Sequence, residues 1–172
     1  MLLCHVPVSY THLDVYKRQT QAHAIVPDAP VGAFAISGIN SAAFPTQYAA
    51  IAALPQNQRG PAVANFYQTI FWNSWFAQLI SDAVSMRVFD ASVNMGAGAG
   101  IIILQKAVNS IGGSLVIDGG WGPNTLDTTN ACNPVDLVNA FQTVRCEHYE
   151  AIVARNPADQ KYLTNWLARA KK

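Results

Sequence analysis

The amino-acid sequence predicts a mainly α protein of five or six helices, with a short extended or turn segment near residues 115–122. Three observations point to this fold class. Apolar residues recur at helical spacing through most of the chain after Pro61, two N-P-x-D motifs mark helix starts, and glycine clusters separate the periodic segments. Of the 172 residues 51% are apolar and only 12% are charged, against about 25% charged in ordinary domains. The chain therefore has enough apolar residues for a sizeable core.

The first third of the chain is the least regular part. Residues 20–60 are punctuated by proline and glycine, which predicts loops and at most one short helix, at about 46–53. From Pro61 the pattern becomes helical, and proline suits the first turn because its missing N–H is not needed there. The apolar stripe of this helix follows the spacing i, i+3, i+4, i+7, i+8 and consists of Val63, Phe66, Tyr67, Ile70 and Phe71.

Two further helices are predicted on either side of the glycine run at 96–100. Ser81 suits the N-cap of the first helix, because its hydroxyl can accept a hydrogen bond from a free N–H of the first turn. This helix is expected to reach about Asn94, and the second covers about 99–109. Glycine tolerates the left-handed backbone that ends helices, so the run predicts the break between them.

The last third begins with the extended piece and glycine turn at 115–122, and a brief helix is predicted to start at Pro123 or Asn124. The two N-P-x-D motifs then open helices at about 134–155 and 157–171. In each motif the asparagine caps, the proline takes the first helical position, and the aspartate lies near the positive end of the helix dipole.

Overall charge and hydropathy exclude two classes of partner. The net charge is +1 with no long basic run, which argues against nucleic acid, because phosphate neutralisation needs clustered Lys and Arg. No uninterrupted apolar stretch reaches the roughly 18 residues of a membrane span, so stable membrane insertion is not expected. The first residues do not read as a signal peptide.

The cysteines and histidines predict neither a metal site nor a disulfide framework. The three cysteines are an odd number, and the four histidines are scattered without ligand spacing. A continuous helix from residue 134 also places Cys146 well beyond the roughly 7 Å at which a disulfide to Cys132 is feasible. We therefore expect free thiols, no metal and no cofactor.

Residues 1–19 differ in composition from the Ala-rich chain that follows them. The segment MLLCHVPVSYTHLDVYKRQ closely resembles a peptide that arises on unrelated translated sequences as read-through of library adapter DNA. We therefore expect a non-native leader at 1–19 that has replaced the authentic N-terminus. A natural polar leader is the alternative.

Few polar residues are candidates for chemistry. Glu147 and Glu150 are the only glutamates, at i and i+3 on one helix, and suit acid–base work if they line a cleft; a solvated helix face is the alternative. Asp90 and Asn94 lie one turn apart on an otherwise apolar helix, either as a helix-end hydrogen-bond pair or as the polar wall of a cleft. Tryptophans can stack on sugar rings or fill a core, and the chain has four: Trp72, Trp75, Trp121 and Trp166.

A series of short motifs follows in order through residues 60–172. The series is Phe66-Tyr67-x4-Trp72, Val88-Phe89-Asp90-x2-Val93-Asn94-x-Gly96, Leu104-Gln105-x2-Val108, Asp118-Gly119-x2-Gly122-Pro123-x-Thr125-Leu126, Arg145-x3-Tyr149-x2-Ile152, Asn156-Pro157 and Trp166-Leu167-x-Arg169. Looser elements within 27–48 are Ser37-Gly38-Ile39-Asn40 and Phe44-Pro45. In order and spacing these motifs resemble glycoside hydrolase family 108, lysozyme-like N-acetylmuramidases with a C-terminal predicted peptidoglycan-binding domain.

The resemblance implies a fold, a substrate and a division of the chain. It implies a lysozyme-like helical domain, with a partial catalytic region at 20–90 and a peptidoglycan-binding helical region at 91–172. The second region either forms one compact unit with the first or stands alone. The implied reaction is cleavage of the MurNAc–GlcNAc bond, and the implied partner is the glycan strand of peptidoglycan, bound by a monomer. Such a phage or bacterial protein is cytoplasmic until release, or acts in the periplasm or cell wall.

The resemblance fails at the catalytic acid. The family carries its catalytic glutamate in a Glu-Gly-Gly motif upstream of an Asp-x-Gly-Gly turn, of which Asp28 with Gly32 is the nearest counterpart here. The corresponding upstream position is Gln19, and no glutamate precedes Glu147. Asp28 is therefore the one catalytic candidate. The substrate-binding candidates are Gly38, Trp72, Asp90 and Asn94.

Three functions remain open from the sequence. The first is an N-terminally truncated muramidase that lacks its catalytic glutamate. The second is a peptidoglycan-binding module without catalysis. The third is a helical interaction protein with an apolar patch.

Overall fold

The computed structural model describes residues 23–72 and 76–172. The predicted mainly α class is confirmed: these residues form seven α-helices, one three-stranded antiparallel sheet and short 3-10 turns. Seven helices replace the expected five or six because both short helices that the sequence marked only weakly are formed. The expected leader at 1–19 and Trp75 lie outside the described residues.

The chain divides into two compact units, the first ending at residue 73 and the second beginning at residue 74. The division that we expected between residues 90 and 91 falls instead inside a helix of the second unit. The expected assignment of a catalytic region to 20–90 and a peptidoglycan-binding region to 91–172 stays a prediction.

A small sheet opens the first unit where the sequence predicted loops. Strands β1 (Ile25–Asp28), β2 (Ala33–Ile36) and β3 (Ile39–Asn40) pair in the order β1-β2-β3, with Asp28 opposite Ala33 and Ile36 opposite Ile39. The strands are only two to four residues long, too short for an alternating pattern to show in the sequence.

Two helices complete the first unit. Helix α1 covers Pro45–Ala52 and α2 covers Arg59–Ile70, two residues earlier than the predicted start at Pro61. Of the predicted stripe on α2, the first three side chains are buried, whereas Ile70 is 44% exposed. Four aromatic rings cluster at this helix, mostly in edge-on contacts, and two of them are buried; they belong to Phe44, Phe66, Tyr67 and Phe71.

The second unit begins with α3 (Asp82–Met95) and α4 (Ala97–Ser110). Ser81 caps α3 as predicted, since its Oγ accepts from the N–H of Val84 at 3.4 Å. Gly96 separates the helices with a φ of +88°, a left-handed conformation that favours glycine. A side chain at Gly100 would collide with Ser92, so glycine allows the close approach of α4 to α3.

The segment at 115–122 is a non-helical stretch with a turn, as predicted, and it pairs with no strand of the described residues. Its backbone is hydrogen-bonded by two amide side chains of α4, and not by a neighbouring strand. Asn109 accepts from the N–H of Leu115 at 2.6 Å and donates to its carbonyl at 2.8 Å. Gln105, which is 1% exposed, accepts from the N–H groups of Asp118 and Gly119. The turn therefore depends on a buried amide that satisfies its backbone.

Three helices close the chain: α5 (Pro123–Ala131), α6 (Pro134–Arg155) and α7 (Gln160–Ala170). Asn133 caps α6 as predicted, with Oδ1 accepting from the N–H of Val135 at 2.9 Å. The second motif behaves differently, because Pro157–Asp159 is a 3-10 turn and Asn156 makes no side-chain cap. Cys132 and Cys146 are free thiols, as expected from the length of α6.

Membrane insertion finds no support in the helices that the structure describes. None of them combines the length and hydropathy that a bilayer span requires.

The two N-P-x-D motifs give a matched pair of cap variants. We expect Asn133→Ala to lower the free energy of unfolding by about 1 kcal/mol, because it removes the acceptor for the first-turn N–H groups of α6. Asn156→Ala should lower the free energy of unfolding clearly less, since the Asn156 side chain donates to the Asp159 carboxylate at 3.0 Å and caps no N–H group. Urea unfolding of both variants checks this expectation, and equal losses would contradict the cap assignment.

Candidate functional site

Asp28, the catalytic candidate, ends β1 as an exposed residue whose two carboxylate oxygens are both engaged. Oδ1 accepts from the N–H of Ala29 at 2.9 Å, and Oδ2 accepts from the side-chain amide of Asn40 at 2.8 Å. Asn40 also donates to the Ala29 carbonyl at 2.7 Å. Asp28 therefore helps to hold the turn between β1 and β2, and its catalytic role stays a prediction.

Gly38 and Trp72 both adjoin Tyr67. Gly38 lies in the β2–β3 turn with a φ of +84°, and a Cβ there would come within 2.9 Å of the Tyr67 hydroxyl. That hydroxyl is buried and donates to the Ser37 carbonyl at 2.7 Å. The N–H of Trp72 donates to the Tyr67 carbonyl at 3.0 Å. Gly38 thus lies against the Tyr67 side chain, whereas the bond that links Trp72 to Tyr67 is a backbone bond at the end of α2.

Asp90 is the centre of an ion cluster in the second unit. Its Oδ2 lies 2.7 Å from Nη2 of Arg145, and its Oδ1 lies 2.7 Å from Nη2 of Arg169. The Arg145 side chain is 2% exposed and that of Asp90 is 21% exposed. Because the three residues belong to α3, α6 and α7, the Asp90 cluster ties these helices together.

The charge state of Asp90 is decided by two opposing effects. Burial raises the pKa of this carboxyl, because desolvation disfavours the ion. The hydrogen bonds and charges of Arg169 and Arg145 outweigh burial, so the net pKa lies below the ordinary value of 3.8. Asp90 is therefore ionised at neutral pH and holds both guanidinium groups as an anion.

Asn94 lies next to this cluster and bonds to Asp90. Its side-chain amide donates to the Asp90 carbonyl at 2.8 Å and to Oδ2 at 3.3 Å. This geometry matches the alternative of a helix-end pair, with two arginines added. Sequence reasoning missed Arg145, although it lies one turn from two buried residues of the same helix, Phe141 and Tyr149. The substrate-binding role of Asp90 and Asn94 stays a prediction.

The two glutamates line an open groove of about 640 Å³ on the second unit. One face of α6 supplies most of the groove, and the end of α7 contributes a lysine. The lining residues are Asn139, Gln142, Thr143, Cys146, Glu147, Glu150 and Lys171. Sequence reasoning favoured a plain solvated face here, and it did not connect the glutamates with the amide side chains one and two turns before them.

The tryptophans that the structure describes in the second unit pack against other rings. Trp166 stacks between Tyr149, at 5.3 Å, and Tyr162, at 5.6 Å between ring centroids. Trp121 contacts Phe76 edge-on at 6.0 Å. Both are half-buried, so they fit the core alternative better than a free platform for sugar rings. No group of three metal-ligating side chains occurs within 23–72 and 76–172.

Comparison with known proteins gives one family and one fold. Residues 99–171, from α4 to α7, match the family described as "Predicted Peptidoglycan domain". No curated protein sequence matches the chain. A solved structure, that of Brucella abortus SagA, is similar over 94% of this chain and 92% of that one, with a TM-score of 0.64 and 17% identity. At that identity the likeness concerns the fold alone.

The Asp90 cluster predicts a large and pH-dependent loss of stability on Asp90→Asn. We expect the substitution to lower the free energy of unfolding by about 2–4 kcal/mol at pH 7, because two guanidinium groups lose the Asp90 carboxylate. This range lies between the values for exposed and buried ion pairs. The folded-state pKa is lowered, so this stability is fully present above the ordinary value of 3.8 and is lost as the pH falls through the lowered pKa.

Urea unfolding at pH 7 and at pH 3 measures both effects. The difference in stability between the parent and Asp90→Asn should be smaller at pH 3 than at pH 7, because pH 3 lies below the ordinary pKa of 3.8. Asp127→Asn, an exposed carboxylate on α5, is the control and should change stability by no more than about 0.5 kcal/mol. A small loss at pH 7, or a difference independent of pH, would contradict the role given to Asp90.

Proposed function

We propose that this protein is a cell-wall protein of the N-acetylmuramidase type, and that its second unit binds the glycan strands of peptidoglycan. The observation that carries the proposal is the family match over residues 99–171. The similarity of the whole chain to the SagA fold supports it, because that similarity extends through the first unit as well. The sequence resemblance to glycoside hydrolase family 108 supplies the reaction, cleavage of the MurNAc–GlcNAc bond.

Cleavage requires a carboxylic acid beside the leaving oxygen. The sequence holds no glutamate before Glu147, and Glu147 belongs to α6 in the region of the family match. Asp28 is the remaining carboxylate near the expected turn, and both of its oxygens accept hydrogen bonds within that turn. This chain is therefore proposed to bind the wall without cleaving it efficiently, whereas a muramidase of this type with the glutamate in place hydrolyses it.

A non-catalytic peptidoglycan-binding module is the second candidate. The missing glutamate favours it, because a module that only binds has no need of a general acid. Either function places the protein in the periplasm or cell wall, or in the cytoplasm until release, as a monomer with no cofactor. In either case Gly38, Trp72 and Asn94 are proposed to contact the glycan, with Asp90 holding Asn94 in position.

We expect the purified, folded chain to leave peptidoglycan intact. General acid catalysis contributes about 10²- to 10⁴-fold to a rate, so without a placed acid turnover should stay near background. The measurement is turbidity of outer-membrane-stripped Gram-negative cells, with an active lysozyme as the positive control.

Two variants separate the remaining explanations of any clearing. Clearing that vanishes on Asp28→Ala would show that an aspartate supplies the acid. Clearing that survives Asp28→Ala but vanishes on Glu147→Ala would overturn the assignment of the site to the first unit.

A further inference from the structure

The groove along α6 has the form of a binding site, because one helix face lines most of it with polar side chains. Six of its seven lining residues lie on one face of α6 at the spacing i, i+3, i+4, i+7, i+8, i+11. The inward face of the same helix carries Phe141, Arg145 and Tyr149, all buried. The groove face therefore adjoins the packed face and is presented to solvent.

The groove also has a defined order of polar groups. Gln142 donates to the backbone carbonyl of Lys171 at 3.2 Å, which places Lys171 beside Gln142 in the groove. Glu147 and Glu150 lie five and eight residues further along α6, about 8 and 12 Å away at 1.5 Å per residue. Between the charges lie an amide, a hydroxyl and the Cys146 thiol.

The two carboxylates carry uncompensated charge. Both are exposed, and within residues 23–72 and 76–172 neither forms a salt bridge. Two carboxylates on adjacent positions of one face repel each other, and a cation bound between them would relieve that repulsion. The groove is thus prepared for a ligand with an ammonium group at one end and a carboxylate at the other.

We propose that this groove binds the peptide stem of peptidoglycan, with the free amine of its diamino acid between Glu147 and Glu150 and a stem carboxylate at Lys171. This inference rests on the proposed function, which brings the second unit to the cell wall. Sugar rings are uncharged apart from the lactyl group, where the stem is attached, so the glycan alone gives the two glutamates no partner. The amides and the hydroxyl of the groove suit the peptide groups of the stem.

The first test compares soluble fragments of the wall. The probes are the GlcNAc–MurNAc disaccharide, the same disaccharide with a stem peptide whose diamino acid has a free amine, and that fragment with the amine acetylated. Calorimetry with the parent should show tightest binding of the free-amine fragment. Glu147→Gln/Glu150→Gln should weaken it about tenfold, and should leave binding of the acetylated fragment unchanged. Asp127→Asn/Asp136→Asn removes two carboxylates outside the groove and should leave all three affinities as in the parent.

The second test needs no substitution and uses the thiol of the groove. A bound free-amine fragment should slow maleimide labelling of Cys146 at least fivefold. Cys132, which is also half-buried but lies beside a separate small cavity of about 30 Å³, should label at an unchanged rate. Peptide-resolved mass spectrometry distinguishes the two sites.

Failure of this inference and failure of the proposed function give different results. If the parent does not sediment with purified peptidoglycan sacculi, the proposed function is wrong and the groove assignment is wrong with it. If the parent sediments but Cys146 is not protected and the double glutamine variant binds the free-amine fragment as the parent does, the groove assignment alone is wrong. Equal binding of the free-amine and acetylated fragments would also overturn it.

Discussion

Two arginines held by the single carboxylate of Asp90 determine how the second unit is built. Arg145 is almost fully buried, and a buried guanidinium without a counter-ion costs several kcal/mol. The carboxylate satisfies it and Arg169 together, and so fixes α6 and α7 against α3. With its inward face held by this cluster, α6 must present the adjoining face, from Asn139 to Glu150, to solvent. The exposed groove face of α6 thus depends on the buried ion pair between Arg145 and Asp90.

Local chemistry made most helices predictable. Ser81 and Asn133 cap as expected because a hydroxyl or amide oxygen beside free N–H groups has few better partners. The same reasoning failed at Asn156, where the chain makes a 3-10 turn and the side chain bonds to Asp159. The sheet at 25–40 was missed because strands of two to four residues carry no periodicity. The 115–122 segment depends on Gln105, which bonds to Asp118 thirteen residues further along the chain. No local sequence pattern reveals that contact.

The candidate sites were harder to predict, because they depend on which helices meet. The polar pair Asp90 and Asn94 stood out in an apolar helix, yet its partners lie 55 and 79 residues further along the chain. Glu147 and Glu150 were found as the only glutamates, but a groove is a property of packed helices. Gly38 was selected from a motif, and the structure adds the physical reason for glycine: a positive φ and the Tyr67 hydroxyl beside it.

The central claim is that the second unit holds the peptidoglycan. Hydrogen–deuterium exchange of the folded chain, with and without soluble disaccharide–peptide fragments, tests it most directly. The account predicts slower exchange in peptides from residues 99–171, concentrated along α6 and at the end of α7. Protection confined to residues 23–72, or no protection at fragment concentrations that saturate an authentic wall-binding protein, would contradict it.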